Sequence, residues 1–139
     1  DCGLVQGPRR VAEAQNRRLP MRPADVEAVV LSHAHIDHCG ALPRFVKDGF
    51  DGAIHCTDAT ADMLRMMLMD SAHIQAQDAR HLRKRGHDVE PLYDAHDVER
   101  TLRLVRGVPY HTPFEVLPSV RGEFRDAGHI LGAAIVVLD

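Results

Sequence analysis

At 139 residues the chain is long enough for one domain or a large part of one. Its 45% hydrophobic and 27% charged content is ordinary for a globular protein, so disorder is not expected. The formal net charge of −3 excludes a global basic signature for nucleic acid but leaves room for a local basic patch. No apolar run approaches the roughly 18 residues that span a bilayer, and the opening Asp1-Cys2-Gly3 carries no secretory pattern. Three cysteines, an odd number, argue against a disulfide framework and for a reduced, cytoplasmic compartment.

In chain order, residues 4–20 are polar and basic and read as an exposed loop with a short helix. Pro23-Ala24-Asp25 opens the next element, and the β-branched run Val26–Leu31 reads as a buried strand. A short helix is expected over Gly40–Val46, closed by Asp48-Gly49, and a short strand over Ala53–Cys56. Thr57-Asp58-Ala59-Thr60 offers N-cap residues for a long helix. Met63, Met66, Met67, Leu68 and Ile74 give it an apolar face, read as core, and Gly86 stops it, with a break expected near Ser71. The basic run 80–87 at its end has two readings: a solvated end favoured by the helix dipole, or a contact for an RNA backbone. Asp94-Ala95 begins another helix with Val98, Leu102 and Val105 on one face. Strands follow at Phe114–Leu117, Val120–Asp126 and Ala133–Leu138, so the order mixes α/β with a later antiparallel part. The chain begins without methionine and stops directly after a strand-like run, which reads as a piece of a longer protein.

Chemistry concentrates in Ser32-His33-Ala34-His35-Ile36-Asp37-His38-Cys39-Gly40. Side chains alternate along an extended segment, so His33 and His35 face one side and can grip one cation. Asp37 and His38 come as the chain turns toward the helix and can hold a second. Imidazoles with few carboxylates suit zinc better than magnesium or calcium. With this composition an HxHxDH string arises by chance only about 0.005 times, so accidental clustering is a weak explanation. His73, His81, His87, His96 and His111 lack ligand spacing and read as surface or ordinary polar residues. His55 ends a strand near the metal loop, and Cys39, beside Gly40 at a helix start, reads as a small buried residue rather than a thiolate ligand.

The HxHxDH run resembles the signature of the metallo-β-lactamase superfamily. Asp1-Cys2-Gly3 resembles its supporting Asp-x-Gly, and Ala127-Gly128-His129-Ile130-Leu131-Gly132-Ala133 resembles the β-CASP branch of RNA-processing nucleases. So do Gly3–Gly7, His55–Thr60, Asp70–Gln75 and Glu90–Tyr93, so the resemblance covers essentially the whole chain. It implies an α/β fold, the αββα sandwich, of which residues 1–139 form the N-terminal part. It implies His33, His35 and His129 as ligands of one zinc, and Asp37 and His38 as ligands of another. Asp1 would orient the loop by hydrogen bonding, and Asp37 would also hold the nucleophile. A bridging aspartate, a late histidine and the β-CASP insertion would lie downstream. The implied reaction is zinc-dependent hydrolysis of RNA phosphodiesters, with two zinc ions per intact site, no membrane involvement, and a homodimer left open. Two other readings stand beside it: a hydrolase of thioesters or small esters on the same core, and a scaffold subunit of an RNA-processing complex that has lost catalysis.

Overall fold

The structure, a computed structural model, describes residues 1–139, the side chains of residues 9 and 10 excepted. The polar opening segment carries α1 (Arg9–Asn16), and Pro23–Asp25 forms a single 3-10 turn. The strand expected over Val26–Leu31 contracts to β1 (Ala28–Val30). The metal motif is itself partly helical: α2 (Ile36–Cys39) precedes α3 (Leu42–Lys47), where one helix over Gly40–Val46 was expected. Pro43 in the first turn of α3 starts a new helix, since proline's missing N–H costs nothing there.

β2 (Ala53–Thr57) leads into α4 (Asp58–Arg83), whose N-cap is Thr57, accepting from the Thr60 amide at 3.2 Å. Leu64, Leu68, Ala72 and Ala79 form the buried face of α4, while Met66 and Ile74 stay exposed, so only part of the expected apolar stripe is core. No break occurs at Ser71. Its hydroxyl bonds the Tyr93 hydroxyl at 2.7 Å and accepts from Gln75, and so does not compete for its own helix backbone. Gly86, with φ of +82°, ends the helix as the sequence indicates, taking a left-handed conformation that residues with a Cβ rarely adopt.

α5 (Ala95–Leu104) opens on a capping box formed by Asp94 and Asp97. Val105 does not extend its face. The chain turns extended at Val105 and forms β3 (Val105–Val108), parallel to β2 with Ile54 opposite Val105. A tertiary pairing with a strand some fifty positions earlier thus overrides the helical spacing. β4 (Phe114–Leu117), β5 (Val120–Asp126) and β6 (Ala134–Leu138) form an antiparallel sheet in that order.

Two three-stranded sheets result, β1-β2-β3 parallel and β4-β5-β6 antiparallel. The parallel strand order advances in one direction, so right-handed crossovers place the intervening helices on one face. α4 packs on β2 and β3, and α5 packs on α3 and α4. Ile54 and Cys56 are buried beneath the helices with Leu64, Leu68, Tyr93 and Val98. His55, between them in sequence, takes the other face and stacks on Phe114 of β4, which stacks on Phe124 of β5. Helix, sheet and sheet are three successive layers of the αββα sandwich. No described helix is long and apolar enough to cross a membrane.

Leu68 is fully buried where α4 meets this core. Leu68→Ala is expected to cost about 2–5 kcal/mol through lost burial and a residual cavity, read as a lowered urea midpoint at unchanged slope. A loss below about 1 kcal/mol would show that α4 is not packed as described.

Candidate metal centre

His33 and His35 follow β1 at the carboxyl end of the parallel sheet, the usual place for a ligand crevice in such folds. Leu31 donates to the His55 carbonyl of β2, the Ser32 carbonyl accepts from Ala134 of β6, and His35 keeps extended angles (φ −66°, ψ 148°) as the N-cap of α2. His129 arrives from the far end of the chain, on the loop between β5 and β6. The His33 Nε2 and His129 Nε2 atoms lie 3.0 and 3.3 Å from His35 Nδ1. The three rings meet nearly edge to face, with centroids 4.8–5.1 Å apart. One ligand atom from each of the three lies within 4.8 Å of the others, and this is the one such group among the described residues. Nitrogens held tetrahedrally at roughly 2.0–2.1 Å from a single ion would stand about 3.3 Å apart, so the donor set fits a small cation.

Asp37 and His38 lie beside this group, in α2. His38 Nε2 is 3.7 Å from Asp37 Oδ2, and the His38 ring centroid is 4.0 Å from that of His33. Asp37 is exposed and His38 half-buried. Asp1 reaches the loop from outside. Its Oδ1 accepts from the Ser32 amide at 2.6 Å, and its Oδ2 accepts from the Ser32 hydroxyl at 2.7 Å. The same Oδ2 stands 2.8 Å from His38 Nδ1, which favours the proton there and leaves Nε2 free to ligate. Gly3 explains the Asp-x-Gly spacing: a Cβ there would fall 1.6 Å from the Asp37 carbonyl oxygen. The Cys2 and Leu4 amides donate to the carbonyls of His38 and Ile36, so residues 2–4 lie directly along α2.

Sequence reasoning missed three contributors, Ser32, Thr57 and Thr60. Ser32 also touches His33 Nδ1 at 3.0 Å, linking the rings of His33 and His38 through one hydroxyl. Thr57 and Thr60, both buried, donate to the Gly132 carbonyl at 2.6 and 2.9 Å and hold the His129 loop down on α4. The signal lay in two of the family-like phrases, His55–Thr60 and Ala127–Ala133, but nothing in either shows that they touch. Cys39 is fully buried, donates to the Ala34 carbonyl at 3.3 Å, and has its thiol pushed up to about 12 by burial. That is the small buried residue expected. His73 bonds Gln77, and His81, His87, His96 and His111 are exposed away from the cluster.

Burial first, and then the neighbouring His38, His35 and His129 rings, hold His33 below the usual histidine range. It is therefore neutral, with a lone pair to offer, at neutral pH and somewhat below. Burial, with Arg106 adding to it, lowers His55 as well.

Residues 1–123 match the family described as the metallo-beta-lactamase superfamily. The chain belongs to that superfamily. Transcription termination factor FttA of Cenarchaeum symbiosum (strain A) is 32% identical over 137 residues, covering 97% of this chain and 20% of that protein. FttA of Methanococcus maripaludis is 29% identical, with the same two coverages. Ribonuclease TTHA0252 of Thermus thermophilus is 33% identical over 138 residues, 99% of this chain and 28% of that protein. These relatives belong to the β-CASP side of the superfamily, which the Ala127–Ala133 phrase resembles. The chain spans only a fifth to somewhat over a quarter of their length.

Two outcomes are expected. Thr57→Val with Thr60→Val leaves the Gly132 carbonyl buried without a partner and frees the His129 loop. Metal affinity should fall about 10- to 100-fold in chelator competition, as for other lost supports of a ligand. Unchanged affinity would mean that the clamp does not position His129. Separately, the metal-free chain should lose stability as pH drops below about 6.5, where the unfolded chain takes up protons that buried His33 and His55 refuse. In His55→Gln, the fall in melting temperature between pH 7.5 and 5.5 should be smaller.

Proposed function

We propose that residues 1–139 are the N-terminal part of the metallo-β-lactamase domain of a zinc-dependent phosphodiesterase that hydrolyses RNA. The observation that carries this reading is the convergence of His33, His35 and His129 at four-coordinate spacing, beside an Asp37–His38 pair oriented by Asp1. An all-imidazole donor set favours zinc over the hard, oxygen-seeking cations. In this reading His33, His35 and His129 hold one zinc, and Asp37 and His38 hold the second. A bridging aspartate, a further histidine and the β-CASP insertion come from sequence downstream of residue 139. RNA as substrate is supported by the relatives, one named a ribonuclease and others a transcription termination factor. A cytoplasmic location agrees with three free cysteines, Cys2, Cys39 and Cys56.

Zinc, when bound, supplies a water with its pKa lowered to about 7 and a positive charge facing the phosphoryl oxygens. The chain's own residues do the positioning. Asp1 holds the His38 ring in one tautomer and one orientation. Ser32 couples that ring to His33, and Thr57 with Thr60 fixes the loop that brings His129 across. Asp37, with its carboxylate open to solvent, is placed to accept a hydrogen bond from the attacking water and aim it at phosphorus.

The full-length protein is expected to contain about two zinc ions per chain by metal analysis. It should cleave labelled single-stranded RNA, and a chelator should stop it. His35→Ala should abolish cleavage while circular dichroism stays unchanged, since the core lies in the strands and helices. Residues 1–139 alone should hold the second zinc poorly and be inactive. A metal-loaded protein that turns over a thioester and spares RNA would overturn the substrate, and one with no zinc would overturn the site.

A further inference from the structure

The basic run at the end of α4 is not used by the metal centre, and its surroundings bear on its two readings. Arg17, Arg44, Arg65 and Arg125 each lie against a carboxylate. Arg80, Lys84 and Arg85 have no such partner among the described residues, and all three are exposed. Arg83 spends its Nε on the Val89 carbonyl, which leaves the rest of its guanidinium outward. His81 and His87 are exposed beside them. The helix dipole accounts for cations in the last turn only, because its field fades within that turn. Arg85 and His87 lie past the helix end at Arg83. A cluster of cations left unneutralised in a chain of net charge −3 makes a local positive potential that attracts polyanions.

The helix connects this cluster to the metal centre. Thr60, near the start of α4, touches the His129 loop through Gly132. From Thr60 to Lys84, at about 1.5 Å per residue, the axis covers roughly 36 Å. Met66, His73, Gln77, Arg80 and Lys84 fall on one side of the helix by their spacing, and all are exposed. From His73 onward that stripe carries no acidic residue; Asp70, one turn past Met66, is the acidic residue beside it, so a polyanion laid along the helix meets one like charge before the cluster. Met66 itself, 66% exposed, offers an apolar contact to a base.

We propose that Arg80, Lys84 and Arg85, with Arg83 beside them, form a second contact for the RNA backbone, roughly 36 Å along α4 from the loop that carries His129. The inference rests on the RNA reading of the metal centre. It makes binding length-dependent: an RNA of five nucleotides cannot reach both places, and one of twenty can.

The test uses the full-length protein and fluorescent oligouridylates of five and twenty nucleotides. Binding is read by anisotropy with a chelator present, and turnover is read on the metal-loaded enzyme. In Arg80→Gln/Lys84→Gln/Arg85→Gln, affinity for the 20-mer should fall about ten-fold or more. The slope of log affinity against log salt should shrink by about 2, because three cations no longer neutralise phosphates. KM for the 20-mer should rise in parallel, while kcat, zinc content and KM for the 5-mer stay unchanged. Arg80→Lys/Arg85→Lys, which keeps the charge, should behave as wild type. Equal losses on both lengths, or wild-type binding of the 20-mer by the triple variant, would overturn the second contact and leave the RNA reading standing. A wild-type protein that neither binds nor cleaves either RNA would remove both.

Discussion

The carbonyl of Gly132 joins the two halves of the metal centre. It receives the hydroxyls of Thr57 and Thr60, which belong to the end of β2 and the first turn of α4. One residue pair thus caps the longest helix and seats the loop carrying His129. The approach is close enough to require glycine. Gly132 has φ of +83°, and a Cβ there would fall 2.6 Å from the Thr60 amide nitrogen. Ala134 then donates to the Ser32 carbonyl at 2.8 Å, tying the start of β6 to the residue before His33. Without these contacts the antiparallel sheet could still pair internally, but His129 would have no fixed relation to His33 and His35.

The other side of the centre is organised by one carboxylate. Asp1 accepts from the Ser32 amide and hydroxyl and faces His38, so three groups of the motif are oriented from a single point. Charge matters as much as geometry here. A carboxylate behind His38 orients that ring and strengthens it as a ligand, while burial keeps His33 neutral. The two rings are thus prepared for a cation by different means, although they sit only five positions apart in the chain.

The phrases Asp70–Gln75 and Glu90–Tyr93 find their physical meaning away from the metal. Ser71 bonds the hydroxyl of buried Tyr93, and Gln75 accepts from the Leu92 amide at 3.0 Å. They fasten the segment before α5 onto α4. A half-open apolar groove of about 510 Å³ runs along this seam between α4 and α1, reaching Ile36 next to Asp37.

What the sequence by itself determined is local. The Thr57 and Asp94 caps, the Gly86 stop and the extents of β4 and β5 follow from short-range chemistry, and each stands where the residues imply. The family phrases added His129 and Asp1 by resemblance alone, since no periodicity connects positions 33 and 129. Tertiary structure decided the rest. It turned Val105 from a helix face to a strand, because pairing with β2 satisfies backbone groups that a longer helix would have satisfied differently. It kept α4 continuous through Ser71 by giving that hydroxyl a partner far along the chain. It also chose Thr57 and Thr60 as the seat of the His129 loop, a contact across more than seventy residues that exists only once both sheets have packed.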